Sequence, residues 1–276
     1  MKVIEKKSFS RIYKLIIIIA LIAVFCGAIY WLISPLLSNN KQSVVKSKEI
    51  KKPITDNKPE PVVKPTAPAA APVIEPDYII PAITGGLAPV VYTLPTAQNV
   101  VFLGIDDGAF KDQSVIDIMK KNNIKASLFL YKNLISSNPD FFKQLVDQGS
   151  VVENHTISHD TNMTNTQSYD QQKAEICGMS DYVELNYGRR PTLFRPPGGA
   201  YSETMQKAVA DCGMKAIATW VAKANGGSMQ YQVGDKLRAG DIVLMHFRPE
   251  FAQDMAAFVS AMNAAGLHTA LLEDAI

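Results

Sequence analysis

The sequence predicts an α/β domain built on a parallel sheet, carried behind a membrane segment and a long linker. Three observations point there. Seven short apolar stretches of strand character alternate with five stretches of helical periodicity. Glycines stand where the helical patterns stop, at Gly149, Gly188, Gly213 and Gly266. The whole pattern begins only after residue 97, behind an uncharged apolar run and a proline-rich stretch. Strands that alternate regularly with helices need crossover connections, so they pair in parallel, as an open doubly wound sheet or as a barrel.

Each part can be justified in order. Residues 1–14 carry Lys2, Lys6, Lys7, Arg11 and Lys14 against Glu5 alone, and residues 15–34 carry no charge. About 20 apolar residues at ~1.5 Å each cover the ~30 Å hydrocarbon core of a bilayer. Tyr30 and Trp31 lie near the far end, where amphipathic rings suit the interface. The basic flank stays inside. Residues 1–14 are therefore expected to be cytoplasmic, 15–37 a single-pass plasma-membrane anchor, and the rest extracytoplasmic. A cleaved signal peptide, leaving a secreted protein, is the rival. The run is longer than a usual signal core and no small-x-small site follows it. Phe25 precedes Cys26 where a lipoprotein signal needs a small residue.

Residues 38–97 are rich in Pro, Lys, Ala and Val without helical or strand period, as expected of an extended tether. Such a segment of about 60 residues, at up to ~3.1 Å each, reaches on the order of 100 Å. Its more apolar end, 78–97, is expected to lean on the domain. The domain itself is assigned to 98–276. Strand signals cover 100–105, 126–130, 150–154, 192–195, 215–219, 241–246 and 267–272. Helical signals cover 114–122, 139–149, 168–188, 202–213 and 249–266. A net charge of +2 over 276 residues gives no bias toward nucleic acid. Cys26 falls in the membrane segment. Cys177 and Cys212 fall in the exported part, where a disulfide is permitted, and the sequence leaves a bond and two separate thiols equally open.

In parallel α/β folds ligands gather at the carboxyl ends of the strands. The first strand ends in Asp106-Asp107-Gly108, and the third runs into His155 and His159. The fourth ends in Arg195 before Pro196-Pro197-Gly198-Gly199, and the sixth ends in His246. His268, inside a strand pattern, is expected to be structural. His155 and His159, four apart, can face one metal from a helical turn or tight loop. A carboxylate from a neighbouring strand end would complete a two-His-one-carboxylate set suited to zinc or another divalent first-row ion. Alternation along the strand would send Asp106 and Asp107 to opposite sides, one to the metal and one to act as general base. A helix cap in a solvated turn explains the pair equally well. Arg195 is able to grip a carboxylate with two N–H groups. Glycine after the prolines lets a substrate approach the backbone, and His246 can protonate a leaving amine.

Taken together, "GIDDG" (104–108), "HTISH" (155–159), "RPPGG" (195–199) and "LMH" (244–246) resemble, in order, the motifs of the polysaccharide deacetylase family, also called NodB-homology or carbohydrate esterase family 4. The resemblance covers essentially all of 98–276. It implies a distorted (β/α) barrel of about seven strands that hydrolyses N-acetyl, or sometimes O-acetyl, groups of a polysaccharide such as peptidoglycan. It implies Asp106 as base, Arg195 as the residue orienting it, and His246 as acid. Asp107, His155 and His159 would bind one divalent metal, with zinc expected and cobalt, nickel or manganese as alternatives. Pro197, Gly198 and Trp220 would line the substrate groove, with the Gly198 N–H facing the oxyanion. Gly104 and Ile105 replace the usual threonine and phenylalanine, a change expected to matter little. Gly198 replaces a tyrosine. The fourth motif lacks its aspartate: "TWVAKANGGSMQY" (219–231) holds no acid, and Asn225 or Gly226 falls in its place. Asp235 or Asp241 are the substitutes, with Asp241 at the wrong end of its strand. Without the partner the pKa of His246 should fall, and a catalytically impaired glycan-binding domain is the alternative reading.

Overall fold

The computed structural model describes residues 75–276. The expected tail 1–14, anchor 15–37 and first part of the linker lie outside the described residues. Among the described residues no helix is long and apolar enough to cross a membrane.

The strands are β1 (Val90–Val91), β2 (Val100–Asp107), β3 (Ser127–Leu130), β4 (Val151–Asn154), β5 (Leu193–Phe194), β6 (Ala216–Ala218), β7 (Ala222–Asn225), β8 (Ser228–Tyr231), β9 (Ile242–His246) and β10 (His268–Ala270). The helices are α1 (Gln113–Lys121), α2 (Lys132–Ile135), α3 (Pro139–Asp147), α4 (Met163–Thr166), α5 (Tyr169–Tyr187), α6 (Glu203–Asp211) and α7 (Phe251–Ala264). All seven expected strands and five expected helices form. The sheet runs β1-β6-β5-β4-β3-β2-β9-β7-β8, with β10 added to β2. Every pairing is parallel except the β7–β8 hairpin. The expected seven-strand barrel is thus a ten-stranded mixed sheet curved as a half-barrel. An isolated bridge, Thr93 to Asp241, and a hydrogen bond from the Leu94 N–H to the Gly240 carbonyl at 2.9 Å join the segment after β1 to the start of β9.

Local chemistry sets the helix ends. Asp112 caps α1 by accepting from the Ser114 N–H, and Ser202 caps α6 by accepting from Met205. Ser168 and Gln171 form a capping box at the start of α5, which ends on Gly188 in the left-handed region at φ 74°. The sheet is buried on both faces. On β2, Val101, Leu103 and Ile105 pack against helix residues such as Val115, Met119 and Phe258. Val100 and Phe102 face the other way, into a core shared with Tyr78, Leu94, Phe129 and Leu272. Tyr78, Ile80, Val91 and Leu94 are all buried. Packing therefore begins about 20 residues ahead of Gln98, because this apolar stretch plugs the inner core. A disulfide joins Cys177 on α5 to Cys212 at the end of α6. His268 is exposed on β10, so it is not a core histidine.

Candidate active site

The inner column of β2 runs Val100, Phe102, Gly104, Asp106, so Asp106 stands one step above the core. It is 3% exposed. Its Oδ1 accepts a 2.7 Å hydrogen bond from Arg195 Nη1. Arg195, itself fully buried, donates through Nε to the Ala218 carbonyl (2.9 Å) and through Nη2 to that of Thr219 (3.3 Å). Its guanidinium lies 4.0 Å from the Phe129 ring centroid. The grip on Asp106 is thus one N–H, not the two-pronged pair expected, because the other donors are taken by carbonyls. Burial pushes the pKa of Asp106 up, against the pull of Arg195 and His246. A carboxylate raised in this way is a better proton acceptor than a free one.

Gly104 is what admits Arg195. An ideal Cβ at 104 would stand 2.3 Å from Arg195 Nη1 and 2.7 Å from Cζ. The departure from the family threonine therefore shapes the site rather than mattering little.

Asp107 departs from the expected alternation. Its backbone takes φ 75°, left-handed for a non-glycine residue, with Gly108 following at 94°. The turn brings both carboxylates into one cavity instead of sending them to opposite faces. Asp107 Oδ1 lies 3.2 Å from His159 Nε2 and 3.7 Å from His155 Nε2. Asp107, His155 and His159 each bring one ligand atom into a group within 4.8 Å. Burial opposes the Asp107 charge, but His159, His155 and His246 outweigh it and hold its pKa below the usual range.

The two histidines come from a loop, not a helical turn. Asn154 Oδ1 accepts from the Thr156 N–H, and Thr156 Oγ1 accepts from the His159 N–H. Thr156 and His159 both adopt positive φ, at 73° and 60°. Glu175 on α5 accepts from the N–H groups of Ile157 and Ser158 and from the Ser158 hydroxyl. His155 Nδ1 lies 2.7 Å from the Arg195 carbonyl, which can only accept, so the ring's proton sits there and Nε2 offers its lone pair to the cluster. Burial, reinforced by His159, lowers the His155 pKa to about 3, which keeps it a neutral ligand.

These residues fit a divalent ion. Asp107 Oδ1 is buried without a hydrogen-bond partner, as a metal-binding oxygen would be. The imidazole-carboxylate donor set suits zinc and its first-row neighbours.

The cavity, about 310 Å³, is also lined by His246 from β9, Gly198, Trp220 and Leu244. Gly198 turns at φ 69° beneath Thr161, another lining residue. Pro197 is buried and does not line the cavity. Burial lowers the pKa of His246, Arg248 adds to this, and Asp106 and Asp107 oppose it. The β7–β9 register pairs Lys223 with Leu244, so one step along each strand face sets Asn225 level with His246. Asn225 thus occupies the acid partner's place, and its Oδ1 accepts from Arg248 at 3.3 Å. Asp241 does not substitute: it sits at the opening of β9, bonded to Arg238. Asp235 does not line the cavity.

A family model described as polysaccharide deacetylase matches residues 93–217. Over 173 residues the chain is 34% identical to an uncharacterized protein of Streptomyces coelicolor, spanning 62% of this chain and 69% of that one. The chain belongs to the polysaccharide deacetylase family. The deacetylase domain is also 26% identical over 166 residues to a peptidoglycan-N-acetylglucosamine deacetylase of Bacillus cereus, spanning 57% of this chain and 76% of that one. Its fold matches that of a carbohydrate esterase family 4 pseudoenzyme from Bacillus anthracis, with a TM-score of 0.59 at 23% identity over 68% of this chain and 69% of that one.

Sequence reasoning missed three residues of this deacetylase domain. Glu175 acts from a helix 16 positions beyond His159, too far for any short-range signal. Lys223 and Arg248 line the cavity beside His246. Both lie within or next to the fourth and last motifs, where a single basic residue carries no signal of its own.

Proposed function

We propose that this chain is a membrane-anchored, extracytoplasmic, metal-dependent hydrolase that removes N-acetyl groups from amino sugars of a cell-wall glycan such as peptidoglycan. The observation that carries this reading is the convergence of Asp107, His155 and His159 beside an Asp106 held by Arg195. A bound divalent ion, zinc by preference, would supply Lewis acidity, polarising the acetyl carbonyl and acidifying water from a pKa of ~15.7 toward about 7.

The chain's own groups do the rest. Asp106 Oδ1 is tied to Arg195, which leaves Oδ2 to take the proton of the attacking water. The N–H of Gly198, a residue that lines the cavity, would meet the oxygen that gains charge. His246 delivers a proton to the departing nitrogen, yielding a free amine and acetate. The disulfide accords with export, and the lysine- and proline-rich linker with reach across a polymeric wall.

The test is acetate release by the full chain from N-acetylglucosamine oligomers and peptidoglycan, with and without chelator and added Zn²⁺ or Co²⁺. Metal-dependent release is expected. Metal-replete protein that turns over no acetylated glycan refutes the proposal. An O-acetylated substrate in the same panel separates ester from amide cleavage.

One observation favours a second reading, an impaired glycan-binding domain: Asn225 replaces the acid partner of His246. In that case His246→Ala and the wild type would bind glycan equally and neither would release acetate.

A further inference from the structure

The wall of the cavity around His246 is basic. Lys223, half-buried on β7, and Arg248, exposed just past β9, both line it. Among the described residues neither forms an ion pair; Arg248 reaches only the neutral Asn225 Oδ1. Arg195, the third cation of the neighbourhood, is spent on Asp106.

A second cavity of about 370 Å³ shares Trp220 and Lys223 with the first and continues along the hairpin past Gln230, Tyr231 and Gln232. Lys223 therefore stands where the two cavities meet. A neutral N-acetyl sugar offers these cations hydroxyl and carbonyl oxygens but no charge. Arg248 also works against the proton that His246 must hold, by helping to lower its pKa. Two cations without an acidic partner beside the reacting centre are placed to gain from an anion on the substrate.

We propose that the substrate bears a carboxylate next to the reacting acetamide, and that Lys223 and Arg248 bind it. Two glycan chemistries present one at this range: a lactyl ether on the reacting sugar itself, and a uronic acid as the neighbouring sugar. In either, the anion neutralises the basic wall as the substrate docks. The adjoining cavity then takes the next sugar against Trp220 and Tyr231. This inference rests on the deacetylase reading above.

The experiment compares acetate-release kcat/KM of the full chain on four substrates of matched length. They are N-acetylglucosamine oligomers, uncross-linked peptidoglycan glycan strands with lactyl carboxylates, the same strands with those carboxyls reduced to alcohols, and hyaluronan oligomers. A charge-assisted contact supports a preference of about tenfold or more for a carboxylate strand over its neutral counterpart. Whichever anionic substrate shows the preference identifies the source of the carboxylate. The ratio of carboxylate to neutral kcat/KM should fall toward one in the Lys223→Ala/Arg248→Ala double variant. In the wild type, which raises no question of folding, it should fall with added NaCl. A wild-type ratio of one on both anionic substrates, or a ratio unmoved in the double variant and in salt, overturns the proposal while leaving the deacetylase reading standing. No acetate from any substrate overturns both.

Discussion

Gly104→Ala is the sharpest test of how the base is built. Gly104 does not have positive φ, so its role is steric. The added Cβ would stand 2.3 Å, 2.5 Å and 2.7 Å from Nη1, Nη2 and Cζ of Arg195. Ordinary contact is about 3.5 Å, so the guanidinium must retreat by about 1 Å. A free side chain would do so at little cost. This one is fully buried, held by Asp106, Ala218 and Thr219 and stacked on Phe129. Breaking a buried pair outright costs about 3–5 kcal/mol, and a displaced arginine keeps part of its contacts, so about 2–3 kcal/mol is expected. At about 2–4 °C per kcal/mol the melting temperature should fall by roughly 4–12 °C. A catalytic group shifted by about 1 Å loses on the order of 100-fold in rate. The assay is acetate-release kcat beside bound-metal content, because the substitution leaves Asp107, His155 and His159 untouched. The expected variant binds metal and turns over slowly. Wild-type kcat and melting temperature in Gly104→Ala would refute the packing argument.

Three further outcomes follow from the same structure. Asn225→Asp places a carboxylate level with His246 and should raise its pKa. Because the acid must be protonated, the alkaline limb of the kcat/KM profile should move to higher pH, and an unmoved limb would show that Asn225 does not act on His246. The carboxyl of Glu273 is buried: Ser127 donates to Oε2 at 2.9 Å and Oε1 has no partner, and burial, then Glu153, raises its pKa well above the ordinary 4.5. A raised folded pKa means stability that is full below about pH 4.5 and lost as pH rises through the folded value. Glu273→Gln should remove that slope, melting a few degrees above wild type at neutral pH and level with it in acid; parallel curves would refute the linkage. Cys177 and Cys212 close a loop of 35 residues, worth about 4 kcal/mol by loop entropy. The Cys177→Ser/Cys212→Ser variant should melt roughly 8–16 °C lower, and reductant should have no effect on it.

The fold was legible where its causes are local. Apolar periodicity places the five expected helices within about two residues of their ends, whereas the four-residue α2 and α4 are too short to show a period. The β1 strand was not legible, since Val90 and Val91 become a strand only by pairing with Ile217 and Ala218 far along the chain. The β7–β8 hairpin did carry a signal. Gly226 and Gly227 take φ of 61° and 73°, the two positive values that a tight hairpin turn requires, and a Gly-Gly pair announces such a turn. Its flanks, "AKAN" and "SMQY", do alternate apolar with polar residues, but over only four positions each and without a β-branched residue, which is too short a signal to stand out.

The site divides along the same line. Asp106, Asp107, His155, His159 and Arg195 were each named from a strand end, and all five converge. What the sequence could not show is how they converge: the left-handed turn at Asp107, the space left by Gly104 and the brace from Glu175 are relations between distant segments. One departure from the family pattern, Asn225 in place of the fourth-motif acid, stands on the opposite wall beside two cations. Asn225 and Lys223 share one face of β7, and Arg248 follows β9, the strand that pairs with it. The change at 225 leaves Asp107, His155 and His159 in place and alters what the substrate meets beside its acetyl group. The missing acid of the fourth motif is then better understood together with Lys223 and Arg248 than alone. An aspartate at 225 would pair with Arg248 and cancel the charge that an anionic sugar would otherwise find.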